Sequence, residues 1–341
     1  MNARPRLVLG ADVGGTNTKI ALARFESGEP VVLERKVYAS ARYPALEPII
    51  DAFLAEDAVA SHAPAIQAAC FAVAGPVEGG RGRLTNLPWA ADEVEIARRF
   101  GFGAARVIND FAAAGLGIAH LGSDDLLTLQ HGEALERGER VVVGAGTGLG
   151  VAVLDWDETY YEVHPSEGGH SDFAPVDALQ DRLLAHLRRQ YPRVSYERVL
   201  SGSGLVRILT FLQESGAGAP SDLLKEALAN ESGAPAITEL ALTKQDALAV
   251  QALDLFVSAY GAFAGNMALV TLARGGVYIA GGIAPRIAAK LQDGSFIRAF
   301  TAKGRFKSLL ESVPVNVVMN DQVGLYGALA QASRLSGTGS F

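Results

Sequence analysis

Two glycine-rich turns concentrate this chain's capacity for backbone chemistry. Gly14-Gly15-Thr16-Asn17 follows the apolar run 7–13, and Gly144-Ala145-Gly146-Thr147-Gly148-Leu149-Gly150 follows Val141-Val142-Val143. Without Cβ atoms, successive N–H groups can converge on a phosphate, and two such hairpins could grip a nucleotide's phosphates from both sides. Either turn alone reads equally well as an ordinary tight turn. Their content separates them from that reading: Asp12 and Asn17 flank the first, and Thr147 sits inside the second. A carboxylate near phosphates is suited to holding the hydration shell of Mg²⁺. Neither G-x-x-x-x-G-K-[ST] nor G-x-G-x-x-G occurs, so P-loop and Rossmann binding are not indicated. Asn109-Asp110 stands where a short strand meets a helix; the carboxylate there is either an N-cap or a proton acceptor beside a polyol. Ser166-Glu167-Gly168-Gly169-His170 is either a loop salt pair or a loop able to close on a ligand. No second His or Cys stands at metal-ligand spacing.

The elements that must position these groups alternate between strand and helix, which favours an α/β sheet. Strands are predicted at 7–13, 18–25, 31–38, 66–74, 105–108, 141–143, 151–154, 276–280 and 315–319. Helices are predicted at 43–56, 92–100 with Asp92 as N-cap, 111–121, 176–191, 204–214, 244–273, 285–291 and 322–334. A surface excursion rich in Gly, Ala, Pro and Ser, with one short helix, is expected at 216–235, and a frayed tail at 336–341. Leu7-Val8-Leu9-Gly10 superposes on Val141-Val142-Val143-Gly144, so the strand, glycine turn, strand pattern recurs 134 positions later. That period is too long for a solenoid and reads as two homologous halves.

Composition narrows the function classes. A chain of 341 residues suggests two domains with large cores. A net charge of −7 lacks the basic excess of a general nucleic-acid binder. Cys70 is the single cysteine, which excludes an intramolecular disulfide and every Cys-rich zinc cluster and fits a reducing cytoplasm. No signal peptide is expected, and no uncharged apolar run is expected to reach the 18 or so residues that span a bilayer. Lys19 is expected on a solvated strand face, Trp89 either in a core gap or, with Asn86, beside a sugar, and the basic run Lys303-Gly304-Arg305-Phe306-Lys307 at a helix-end surface.

A wider set of motifs carries a family resemblance. In order, Asp12 to Asn17, Ala74-Gly75-Pro76, Thr85-Asn86 with Trp89, Ile108-Asn109-Asp110-Phe111, Gly144 to Gly150, Glu167 to His170, Glu197-Arg198-Val199-Leu200-Ser201-Gly202 and Ile279-Ala280-Gly281-Gly282-Ile283 resemble the bacterial glucokinase family. The likeness runs from about Leu7 to about Ala332. It implies an α/β chain with the two-domain actin-like ATPase (ribonuclease H-like) fold and an interdomain active-site cleft. The expected domains are 1–120 plus 316–341, the smaller, and 121–315, the larger.

The resemblance also implies roles. Asp110 is similar to the base that takes the proton of the sugar 6-hydroxyl, and Asn109, Glu167, His170 and Glu197 to residues that bind the other hydroxyls. Asp12 with Gly14, Gly15, Thr16 and Asn17 resembles the first phosphate loop, Gly146, Thr147 and Gly148 the second, and Gly281 and Gly282 the turn near adenosine. Substrates would be glucose and ATP carried with Mg²⁺, with no protein-bound zinc, in a cytoplasmic homodimer that binds neither nucleic acid nor membrane. Ser203 departs from the family's frequent proline, which touches the rigidity of that loop. Three rival readings remain at this stage: a kinase for mannose, fructose or glucosamine, a non-catalytic sugar-sensing regulator, and a superfamily ATPase acting on protein.

Overall fold

The computed structural model describes residues 6–26, 28–229 and 233–337. The chain forms two compact units, one of residues 1–122 with 320–341 and one of 123–319. The first unit is built on β1 (Arg6–Val13), β2 (Asn17–Glu26), β3 (Glu29–Ala39) and β4 (Ala68–Val73). A small separate sheet of β5 (Val77–Glu78), β6 (Arg81–Arg83) and β7 (Ala90–Asp92) follows, and then β8 (Ala104–Asn109). The main sheet runs β3-β2-β1-β4-β8, antiparallel across the first three strands and parallel across β1, β4 and β8. Strand alternation sorts β1 onto two faces. Leu7, Leu9, Ala11 and Val13 join one core with Ile20, Leu22, Phe53 and Phe71. Val8 faces the other way with Cys70 and Ala72, beneath Leu325, Ala328 and Leu329 of the helix Val323–Gly337. Gly10 shares that second face, and a Cβ there would stand 2.8 Å from the Leu329 backbone nitrogen. Glycine is what allows the C-terminal helix to lie this close to the sheet.

The second unit contains β9 (Leu126–Gln130), β10 (Arg140–Ala145), β11 (Leu149–Asp157), β12 (Tyr160–Ser166), β13 (Gly276–Ala280) and β14 (Val315–Val318), in the order β12-β11-β10-β13-β14-β9. β12, β11 and β10 form an antiparallel meander, and β10, β13 and β14 run parallel. Apart from the added β9, this is the pattern of the first sheet, which gives the sequence repeat a structural counterpart. The helix Ala247–Thr271 runs through the core with Asp246 as its N-cap.

Several sequence expectations are corrected. Residues 43–56 are not one helix, because Pro44 holds Tyr43 extended and the helix Glu47–Leu54 begins afresh with Pro48 in its first turn. The helix expected at 111–121 spans Asp110–Gly117, and its N-cap is Asn109. The strands at 77–92, 126–130 and 160–166 and the helices Ser295–Thr301 and Lys307–Glu311 were not expected, being too short or too polar to show periodicity. Around 216–235 the chain forms the helix Asp222–Ala229 and starts another at Gly233, with 230–232 outside the described residues. The expected frayed tail from 338 on also lies outside them, while 336–337 end the last helix. Contrary to the reading that no apolar run approaches spanning length, Ala247–Thr271 is long and apolar enough to cross a bilayer, yet it is mostly buried inside its own unit.

Candidate active site

In the first unit the catalytic candidates stand at the ends of β1 and β8. Asp12 follows Val8 and Gly10 on the face covered by the C-terminal helix, and Gly324 lies so near that its missing Cβ would be 3.2 Å from an Asp12 carboxylate oxygen. Burial pushes the Asp12 carboxyl up from its ordinary value, opposed by the charge of Lys19 and reinforced by Asp321. The adjoining turn is closed by Gly14 N–H donating to Asn17 O at 3.0 Å. Ser40 braces it, donating from its hydroxyl to Gly14 O at 2.8 Å and from its N–H to Thr16 O at 2.9 Å. Asn86 packs against Gly15, where a Cβ would meet the Asn86 Cβ at 2.9 Å, while Trp89 fills the core.

Asn109 is spent largely on architecture. Its Oδ1 accepts from the N–H groups of Phe111 and Ala112, and its Nδ2 donates to Gly75 O at 3.1 Å. The same amide also donates toward the neighbouring Asp110 carboxylate. With Asn109 acting as the cap, Asp110 is the first helical residue; its carboxylate accepts the Phe111 N–H at 2.9 Å, and hydrogen bonds from its own N–H and from the Asn109 side chain also favour its charged form. Desolvation, and then the nearby charge of Asp12, push the Asp110 carboxyl up to about 6. Such a carboxylate is ionised at neutral pH yet basic enough to receive a proton.

The second unit gathers the remaining candidates around β10 and β11. Gly146 N–H donates to Gly148 O at 2.8 Å, and Gly202 N–H donates to Gly146 O at 2.9 Å. The Glu197 carboxylate rests on this loop and accepts the Leu149 N–H at 3.1 Å; a Cβ on Gly148 would stand 2.6 Å from it. His170 Nε2 lies 3.9 Å from Glu197 and 3.8 Å from Glu167, both beyond hydrogen-bond distance. A pocket of about 160 Å³ is lined by His170, Arg193, Ser195, Glu197 and Arg198. Arg193 ties its rim by donating to His170 O and to Asp172. Gly281 has φ 82°, and a Cβ there would meet Ala145 O at 2.6 Å, so glycine is required where this turn approaches β10. Ser203 is itself tied down, within 3.1 Å of Ser201 Oγ and accepting from Arg207 at 3.0 Å.

Some neighbours of these groups were not anticipated. Lys19 is not a solvated face residue: its side chain is 19% exposed and pairs with Asp321 at 2.9 Å. Asp321 and Ser40 carry no local motif, so only the chain's return from a distant segment brings them to the first turn. Glu197 meets the Gly148 loop in the same way, across 48 residues of sequence. Among the described residues no group of three or more His, Cys, Asp or Glu is arranged to hold a metal ion.

Comparison with known proteins adds independent findings. A family model described as Glucokinase matches residues 9–335. A glucokinase of Nostoc sp. is 41% identical over 344 residues, covering 96% of this chain and 99% of the relative. A glucokinase of Synechocystis sp. is 41% identical over 346 residues, covering 96% and 98%. The crystal structure of a glucokinase from an Antarctic psychrotroph superposes with a TM-score of 0.83 at 34% identity, covering 98% of this chain and all of that one. The fold is the two-domain actin-like ATPase fold.

Proposed function

This chain belongs to the glucokinase family, and on that premise we propose how its own residues carry the reaction. The protein is an enzyme that transfers a phosphoryl group from ATP to glucose. In the proposed mechanism the sugar 6-hydroxyl oxygen attacks the γ-phosphorus while Asp110 takes its proton. The bond from phosphorus to the ADP oxygen breaks as the new one forms. The single observation that carries this assignment is the Asp110 carboxyl itself, held free of the capping role by Asn109 and pushed up to about 6 by burial and Asp12.

The other roles are proposed on the same footing. Glu197, His170, Glu167 and Asn109 bind sugar hydroxyls. Gly14 to Asn17 and Gly146 to Gly148 offer backbone N–H groups to phosphates, with Gly281 and Gly282 beside the nucleoside. Mg²⁺ suits the donor chemistry next to Asp12 and Asp110, two carboxylates whose mutual repulsion a hard cation with its waters would relieve. When bound it neutralises charge developing on the transferred group. Because the protein need only position groups, neutralise charge and remove one proton, the assignment rests on few residues. A soluble, cytoplasmic homodimer whose two domains are the two compact units completes the proposal.

The test is initial-rate kinetics with a hexose panel and a phosphoryl-donor panel on wild type and Asp110→Asn. Sugar-dependent ADP release with glucose preferred, and kcat lower by about 10² to 10⁴ in the variant, is expected. A variant with near wild-type kcat would remove Asp110 from the chemistry, and equal rates on mannose or fructose would broaden the substrate.

A further inference from the structure

The short basic run at 303–307 reads in the sequence as helix-end surface, but its first lysine turns inward. Lys303 lies just after the helix Ser295–Thr301, which packs closely on Ala247–Thr271. Gly261 and Gly265 permit that approach: a Cβ at either would stand 2.2 Å or 2.4 Å from the carbonyls of Phe296 and Phe300. Through the gap at Gly265 the Lys303 side chain reaches the long helix and donates to Ala262 O at 2.8 Å and to Asn266 Oδ1 at 2.6 Å. Among the described residues it has no carboxylate within salt-bridge distance. A half-buried cation without a counter-charge is costly, and a neutral side chain could have filled the same space.

What the cation does is fix the amide of Asn266. An ammonium only donates, so the amide oxygen must face Lys303 and the Nδ2 must face away. There it donates to the Tyr196 hydroxyl at 3.0 Å. Tyr196 is the keystone of the turns carrying Glu197 and His170. Its N–H donates to Ser171 O at 2.9 Å, its ring meets Phe173 and Phe263 at 5.6 and 4.4 Å between centroids, and its carbonyl accepts from Val199 and Leu200. Glu197 is the next residue.

We propose that Lys303 is a positioning residue for sugar binding, acting through Asn266 and Tyr196 to set where the Glu197 carboxylate stands. The proposal rests on the reading of Glu197 as a sugar ligand. Desolvation also lowers the Lys303 ammonium from its ordinary value, as expected of a cation held for a purpose other than an ion pair.

The experiment measures glucose Kd by calorimetry without nucleotide, glucose KM, ATP KM and melting temperature for Lys303→Met, Asn266→Ala, Tyr196→Phe, the double variant Lys303→Met/Asn266→Ala, and Glu197→Gln. Each of the first three should raise glucose Kd about three- to tenfold, the worth of one hydrogen bond, with ATP KM nearly unchanged. The double variant should be no weaker than its weaker parent, since all act along one chain. A lower melting temperature with glucose Kd unchanged would make the network merely structural and overturn the proposal. If Lys303→Met does not fold, Asn266→Ala and Tyr196→Phe decide by the same criterion. A Glu197→Gln enzyme with unchanged glucose Kd would instead remove the underlying reading, whereas a weakened Glu197→Gln beside unaffected network variants would overturn only the role of Lys303.

Discussion

The Asp110 carboxyl carries two opposite pH dependences. As a base it must be ionised, so kcat/KM for glucose should fall about tenfold per pH unit below about 6. A flat profile from pH 7 to 5 would exclude it as the proton acceptor. For stability the sign reverses. The folded value lies above the ordinary 3.8, so well below pH 3.8 the group is protonated in both states and costs nothing. As pH rises from about 4 to 6 the unfolded chain ionises first, and stability is lost across that window. Asp110→Asn should therefore be more stable than wild type at pH 7, by up to about 3 kcal/mol, and should lose that advantage well below pH 3.8. Equal melting at pH 7 would mean the carboxylate is well solvated. Glu167 behaves differently, being 78% exposed and 3.8 Å from His170. Glu167→Gln should leave melting almost unchanged and weaken glucose about 10- to 150-fold in kcat/KM; loss of stability with intact kinetics would restore the salt-pair reading.

Between the residue and the fold stand the glycine turns. Gly148 is held open by Glu197, and a Cβ there would meet the carboxylate oxygen at 2.6 Å. Gly148→Ala is expected to displace Glu197 and raise glucose KM along with ATP KM, because in the proposed assignment one loop holds the sugar ligand Glu197 and offers N–H groups to phosphate. Thr147→Val keeps the backbone and should raise ATP KM alone; a selective loss of glucose affinity would reverse the two assignments. At the C-terminal helix, Leu329→Ala empties a fully buried site against the sheet and should cost about 2 to 5 kcal/mol, read from chemical denaturation.

The molecule's connectivity decides how its units can stand alone. Residues 123–319 are one continuous stretch containing all of their sheet, whereas the first unit is completed from both ends of the chain. Expressed separately, 123–319 should unfold cooperatively. Residues 1–122 should aggregate, because Val8, Cys70 and Ala72 would lose Leu325, Ala328 and Leu329 as their cover. A well-folded 1–122 fragment would show that the C-terminal helix is dispensable.

The sequence by itself determined what local chemistry dictates. Apolar runs ending in glycine turns marked β1, β2, β10 and β11, because a buried strand needs continuous hydrophobicity and a tight turn needs small residues. The ordered motifs marked the family and the candidate residues. Tertiary structure alone decided which groups act on which. Asn109, not Asp110, caps its helix, a choice made when Gly75 O takes the Asn109 amide. Asp12 lies beside Asp110 because β1 and β8 both pair with β4, and Lys303 enters the core only where Gly265 lets two helices approach. Charge and burial act through space, whereas motif and periodicity are read along the chain, and contacts made across 34 or more residues leave no local trace.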